Sequence, residues 1–277
     1  MQKPTIAIIG PGRAGSALGR ALHRAGYRVA AISGRNPENV AGLARELGAR
    51  PCKTPAAAID LADLTLLAVP DDVIGGVAAE LVPHIRSGAG RSTVHLSGAQ
   101  DRSPLRSLAE AGLGTGVFHP LQTFRRGPDA ASNVAGSYIG IDADSPLREQ
   151  LTTLASDIMG HPFDLRGIDR ALYHAAAVFA ANYPVMLLAE AAALGVSAGL
   201  DEETAREGMT RLLAGAVANL QHTSPDEALT GPAARGDLGT IERHLAALAG
   251  DPELQRLYHS LADRAMKLAA KNKEAAA

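Results

Sequence analysis

Two short stretches bring together residue types at spacings that could do chemistry. The first is GPGRAG, residues 10–15. It follows an apolar run, TIAIIG, and opens a stretch of helical period, RAGSALGRALHRAG. This is the G-x-G-x-x-G spacing in the strand-to-helix setting that it requires. Gly10 permits a tight turn, Gly12 lets the backbone approach a pyrophosphate, and Gly15 lets helix and strand pack closely. The helix N-terminus then offers free N–H groups and a positive dipole end to an anion, so Pro11, Arg13 and Ala14 belong to the same cradle. The second stretch is GVFHPLQTF, residues 116–124, which sets His119, Gln122 and Thr123 among apolar neighbours. A strand turning at Pro120 would account for it by itself.

The elements around these stretches decide where they lie. TIAIIG (5–10), RVAAISG (28–34), LTLLAVP (64–70), STVHLSG (92–98) and GTGVFHP (114–120) are β-rich runs, most of them separated by segments of helical period. Continuous apolar strands alternating with helices predict a parallel sheet covered on both faces, a doubly wound α/β domain. GSYIGID (136–142) adds a further strand. From Pro162 onward the strand signal fades and four long helical stretches follow, closed by KNKEAAA as a frayed tail. The expected division is residues 1–161 for the α/β domain and 162–277 for an all-α domain. Ligands of open α/β sheets bind outside the carboxyl ends of the strands. Val69 and Pro70, Ser97 in HLSGAQ, and the FHPLQTF cluster all fall at such ends, which places the polar cluster against the reactive ring of a dinucleotide.

The end of the second strand selects the cofactor. An NAD site would put an acid there for the ribose hydroxyls, but the chain reads ISGRN. Arg35 can pair with a 2′-phosphate through its planar fork, with Ser33 and Asn36 donating to the same oxygens, so NADP is favoured over NAD. In the helical part, His174 and Asn182 stand about 80° apart around a helix and can border one cavity. His174 is read equally well as a core histidine bonded to a backbone carbonyl. LTGPAARGD (229–237) carries Arg235, either a bidentate clamp for a substrate carboxylate or half of a solvated charge pair.

Composition removes other classes. The 277 residues are 46% hydrophobic and 20% charged, an ordinary globular make-up long enough for two domains. A net charge of -2 gives no global field to recruit nucleic acid or an anionic membrane. The single cysteine, Cys52, excludes an intrachain disulfide framework and reads as a small core filler in a cytoplasmic protein. No signal peptide is evident, and the apolar stretch 173–196 is interrupted by His174, Asn182, Pro184 and Glu190, which fits a core helix better than a membrane span. The nine histidines show no metal-ligand spacing, and there is no nucleophile elbow or phosphate-loop lysine.

In order along the chain, GPGRAG, AVPDD, HLSGA, FHPLQTF, YHAAAVFAAN and LTGPAARGD resemble a bacterial family with a Rossmann-like N-terminal domain and a C-terminal helical domain of unknown function. More distantly, the layout is similar to pyrroline-5-carboxylate reductase, ketopantoate reductase and the 6-phosphogluconate and hydroxyacid dehydrogenases. The resemblance implies a pyridine-nucleotide reductase that dimerises through a helical domain of the 6-phosphogluconate dehydrogenase type. One departure matters: several of those enzymes use a lysine early in their first long helix, and the lysines here are Lys3, Lys53, Lys267, Lys271 and Lys273 only. His174 occupies the equivalent region, with Asn182 following.

The expectation is therefore an NADPH-dependent reductase of a small carbonyl or imine compound bearing a carboxylate, such as a 2-keto acid. His119, His174 and Asn182 would act at the reacting group, while Gln122, Thr123 and Arg235 would hold the substrate. The alternatives are a non-catalytic NADP sensor, or a reduced deazaflavin in place of NADPH. The expected partners are the small-molecule substrate and a second copy of the chain, with no nucleic acid and no membrane.

Overall fold

Apolar runs become strands and stretches of helical period become helices, largely where the sequence places them. The computed structural model describes residues 3–85, 90–125 and 127–275. Contacts divide the chain into two compact units, Met1–Tyr183 and Pro184–Ala277.

The first unit is built on β1 (Ile6–Ile9), β2 (Val29–Ser33), β3 (Arg50–Cys52), β4 (Leu64–Leu67), β5 (Ser92–His95), β6 (Gly114–Leu121), β7 (Tyr138–Ala143) and β8 (His161–Asp164). They form one sheet in the order β3-β2-β1-β4-β5-β6-β7-β8. The helices α1 (Arg13–Arg24), α2 (Pro37–Leu47), α3 (Pro55–Ile59), α4 (Ile74–Leu81), α5 (Arg106–Glu110) and α6 (Leu147–Asp157) connect the strands. β1 and β4 are buried along their whole length, which is why they read as unbroken apolar runs rather than as alternating ones. Local signals bound the helices. Asn36 caps α2 by accepting from the Asn39 N–H, with Pro37 at the first position and Gly48 in a left-handed conformation at the end.

Two details depart from the sequence expectation. β7 runs antiparallel to β6, whereas the other pairings are parallel. Among its described residues the connection from β6 to β7 holds a short 3₁₀ segment, Pro128–Asn133, and no crossover α-helix, and the chain returns alongside β6 in the opposite direction. The short edge strands β3 and β8, with sequences RPC and HPFD, carry no apolar run to announce them. β8 also takes the sheet beyond residue 161.

The glycines of the first turn are required by packing. Gly10 has φ +97°, and a Cβ there would strike the Ala68 carbonyl. A Cβ on Gly15 would meet the Gly10 carbonyl and stand 2.8 Å from the Ala68 Cβ. Helix α1, β1 and the end of β4 thus meet where only glycine fits. Cys52 is buried, and its thiol pKa is pushed up by burial, as suits a filler.

The remaining helices are α7 (Arg170–Ser197), α8 (Glu202–Asn219), α9 (Pro225–Ala228), α10 (Pro232–Arg235), α11 (Leu238–Ala247) and α12 (Pro252–Ala275). The boundary between the units falls within α7, at Tyr183 and Pro184. α7 is not the buried core helix expected: only Gly195 is buried, while Leu172, Phe179 and Val185 are about 70% exposed. A helix this apolar is covered on few sides by its own chain. It is also long and apolar enough to cross a membrane by length and composition. KNKEAAA, expected to fray, has a helical backbone as far as Ala275; its last two residues lie outside the described ones.

Gly15→Ala should therefore lower stability by roughly 2 kcal/mol, because backbone and a packed Cβ must both shift. A thermal melt within 1 °C of the wild type, about the reading error, would show that α1 yields freely.

Candidate functional site

The N-terminal turn of α1 has its glycine cap and little else. Gly12, the N-cap, makes no side-chain bond to the first-turn N–H groups, and a Cβ placed on it would have nothing within 4 Å. Unlike Gly10 and Gly15, Gly12 is not demanded by the protein's own packing. It faces a cleft of about 600 Å³ lined by Pro11, Gly12, Arg13, Ser16, Arg20, Asn36, Glu38, Asn39, Arg125 and neighbouring residues. Arg20 is locked bidentately to Glu46 at 2.7 Å through both nitrogens, which holds the Glu46 carboxyl below its usual range. Arg13 and Arg125 then outweigh Glu38, leaving a local excess of positive charge. An open glycine backbone, uncapped helix N–H groups and basic walls fit a dinucleotide's phosphates.

The other expected cofactor residues are placed unevenly. Asn36 lines the cleft, but its side-chain oxygen is occupied in capping α2. Arg35 is exposed beside it. Ser33 is fully buried, and its hydroxyl has no partner in the protein. It therefore lies beneath the surface that a phosphate would touch. Val69, half-buried, stands by the turn, its Cγ1 3.2 Å from where a Cβ on Gly10 would be. Pro70 is exposed at the same strand end. The Ser97 hydroxyl is spent locally, accepting from the Ala99 and Gln100 N–H groups at 3.2 and 3.1 Å. Arg125 and Gly34 were not found from sequence. A Cβ on Gly34 would lie 2.5 Å from the Pro11 ring, so Gly34 shapes the turn from the second strand.

A second group of polar residues gathers around β5, β6 and the start of α7. His95 is completely buried, and its tautomer is forced: Nδ1 accepts from the Ser97 N–H, while Nε2–H donates to the Asp101 carbonyl at 2.7 Å. His119, on β6, donates from Nδ1 to the Leu96 carbonyl at 2.9 Å, which leaves Nε2 a lone pair. That atom is buried without a partner. Burial is the main cause that pushes the pKa of both histidines below the ordinary value, and the charges of His174 and Arg170 push His119 further the same way. His119 is thus a neutral acceptor near neutral pH.

Tyr173 meets the His119 ring edge-on at 5.6 Å between centroids. Its phenol pKa is pushed up to about 12 by burial. Arg170, one turn earlier, donates to Asp142 at 2.8 Å in an ion pair whose side chains are 9% and 10% exposed. Neither Tyr173 nor Arg170 was singled out from sequence. His174 and Asn182 are on α7 as expected but exposed. Gln122 and Thr123 are exposed past the end of β6, bonded to each other by the Thr123 N–H to Gln122 Oε1. Arg235 ends α10 in the second unit, exposed, where its charge acts on Asp237. Asp237 caps α11 by accepting from the Thr240 N–H. Among the described residues no group of three or more His, Cys, Asp or Glu could hold a metal.

Residues 5–90 match the family profile described as NADP oxidoreductase, coenzyme F420-dependent, and residues 137–265 match a domain of unknown function, DUF2520. The expected two-part resemblance is borne out. A Bacteroides fragilis protein described as a candidate NADP oxidoreductase has a similar structure, with TM-score 0.79, 28% identity, and coverage of 96% of this chain and 98% of that one. The pyrroline carboxylate reductase of Plasmodium falciparum, solved with NADP bound, shares the fold at TM-score 0.64 and 13% identity, over 97% of this chain and 99% of that one. Among curated proteins, D-apionate oxidoisomerase of Cupriavidus necator is 37% identical over 87 residues, 31% of this chain and 31% of that protein's length. The Rossmann-like fold and the NADP-type N-terminal region agree with the sequence reading.

The two buried histidines make stability depend on pH. Their folded pKa values lie below the unfolded value of about 6.5, so the unfolded chain binds protons first as pH falls. Their contribution is complete above about pH 6.5 and is lost as pH drops from there through the folded values. Urea midpoints measured from pH 8 to pH 5 should decline in that window, with a smaller decline in His95→Asn. A midpoint independent of pH there would show that neither ring is kept neutral by the fold.

Proposed function

We propose that the protein is an NADPH-dependent reductase of a compact carbonyl or imine compound that carries a carboxylate. The observation that carries this reading is the open, uncapped Gly12 turn facing a cleft with basic walls. The NADP oxidoreductase profile over residues 5–90 supports it. Bound NADPH supplies a hydride. Gly12 and the first-turn N–H groups of α1 bind the pyrophosphate, Arg35 and Asn36 take the 2′-phosphate with Arg13 and Arg125 adding charge, and Val69 and Pro70 shield the reacting ring from water.

At the reacting end, His119 holds a lone pair at Nε2 and accepts a hydrogen bond from the hydroxyl or amine of the product. His174, exposed and acting electrostatically on His119, adds a further polar group at this end. Asn182, Gln122 and Thr123 add hydrogen-bonding groups for the substrate.

The apolar exposed length of α7 is covered, in this reading, by a second copy of the chain. His174, Asn182, Pro184 and Glu190 make hydrocarbon a poor alternative. Light scattering at micromolar concentration should give twice the chain mass, and a monomer would defeat the assignment.

Calorimetric titration tests the cofactor. NADPH should bind more tightly than NADH, and Arg35→Ala should weaken NADPH about tenfold while leaving NADH nearly unchanged. Equal losses for both would remove Arg35 from the 2′-phosphate, and no binding of either would end the reductase reading.

A further inference from the structure

Among the described residues, the buried side-chain atoms without a hydrogen-bond partner are Ser33 Oγ, Thr93 Oγ1, His119 Nε2, Arg170 Nη1 and Tyr173 Oη. The last three belong to one neighbourhood. Tyr173 and His119 are in ring contact, and Arg170 and Tyr173 are three residues apart, hence on the same face of α7. Arg170 also acts electrostatically on both His119 and Tyr173. A buried polar group left unpaired costs about 1–3 kcal/mol, so three together in a folded protein point to a ligand that pairs them.

Their chemistry defines that ligand. Arg170 Nη1 can only donate, and its guanidinium is nine-tenths buried. Asp142 accepts from Arg170 and is also paired with Arg102 at 3.1 Å, and Arg102 takes a second carboxylate, Asp144, at 2.6 Å. Nη1 itself is left without an acceptor, and a carboxylate is the acceptor that a guanidinium pairs with best. Tyr173 stays a phenol at neutral pH and offers an O–H. His119 Nε2 can only accept, because Nδ1 carries the ring proton. Gly98 packs closely against this ring, where a Cβ would stand 2.7 Å from Nε2, so a side chain there would block the atom.

Resting on the reductase reading, we propose that Arg170, Tyr173 and His119 form the recognition site for a 2-hydroxycarboxylate and its 2-oxo counterpart. The carboxylate accepts from Arg170 Nη1. The 2-hydroxyl accepts from Tyr173 O–H and donates to His119 Nε2, which satisfies the three orphaned atoms with one small molecule. In the 2-oxo form the carbonyl oxygen accepts from Tyr173. Arg170 thus takes the clamp role that the sequence pointed to at Arg235, and the missing lysine is replaced by a phenol one helical turn after an arginine.

The test is binding of lactate, as both enantiomers, and of propionate to the NADP⁺-saturated protein by calorimetry. The ¹⁵N shift of His119 Nε2 is followed by NMR. One lactate enantiomer should bind at least about tenfold more tightly than propionate, since propionate leaves the phenol and imidazole unpaired. That preference should vanish in Tyr173→Phe, both acids should weaken at least about tenfold in Arg170→Lys, and lactate alone should move the Nε2 resonance. If Arg170→Lys does not fold, Tyr173→Phe, which keeps the ion pair with Asp142, decides. No lactate binding, equal affinity for the two acids, or a preference surviving in Tyr173→Phe would overturn the proposal while NADP⁺ binding keeps the reductase reading. Failure of the wild type to bind NADP⁺ would overturn both.

Discussion

A buried carboxylate under two arginines ties the sheet to the helix that follows it. Asp142, on β7, holds Arg170 at the first position of α7 and Arg102 from the segment after β5. An ion pair this far from water adds little net stability against its desolvation, but removing one partner strands the other charge. Its value is geometric. With Arg170 anchored, the first turn of α7 is held against the sheet, and Tyr173 can meet His119 on β6. Without that anchor an apolar helix has many nearly equivalent ways to lie on a sheet.

The glycine turn acts at the opposite scale. Gly10 and Gly15 are consumed by contact between backbone and backbone, so they fix where α1 begins relative to β1 and β4. Gly12 is left free of protein contacts. The same six-residue motif therefore contains glycines for two purposes, folding and approach of a ligand, and they separate by what a single added carbon would touch. Histidine divides in a similar way. His95 has both ring nitrogens satisfied by backbone and belongs to the fold, whereas His119 has one nitrogen held and one presented.

Residue types and spacing alone determined a good deal. Strands buried on both faces must be apolar throughout, and helices between them must show a 3.6-residue period, so the doubly wound sheet and the long helices α7, α8, α11 and α12 were legible. The glycine spacing was legible for the same reason: backbone demands act on neighbours in sequence. The short edge strands β3 and β8 were not, because three or four half-exposed residues carry no period, nor was the antiparallel turn of β7.

What only the tertiary structure decided is which polar groups are buried together and which of their atoms are left unpaired. Nothing local distinguishes Tyr173 from its neighbour His174, yet one is half-buried against His119 and the other is exposed. Ser33 and Ser97 looked available at strand ends, but one is sealed in the core and the other is spent in a turn. Burial and hydrogen-bond satisfaction depend on segments distant in sequence that meet only when the sheet closes, as Asp142 and Arg170 do. A one-dimensional pattern records the period of each segment and not the partner across the gap.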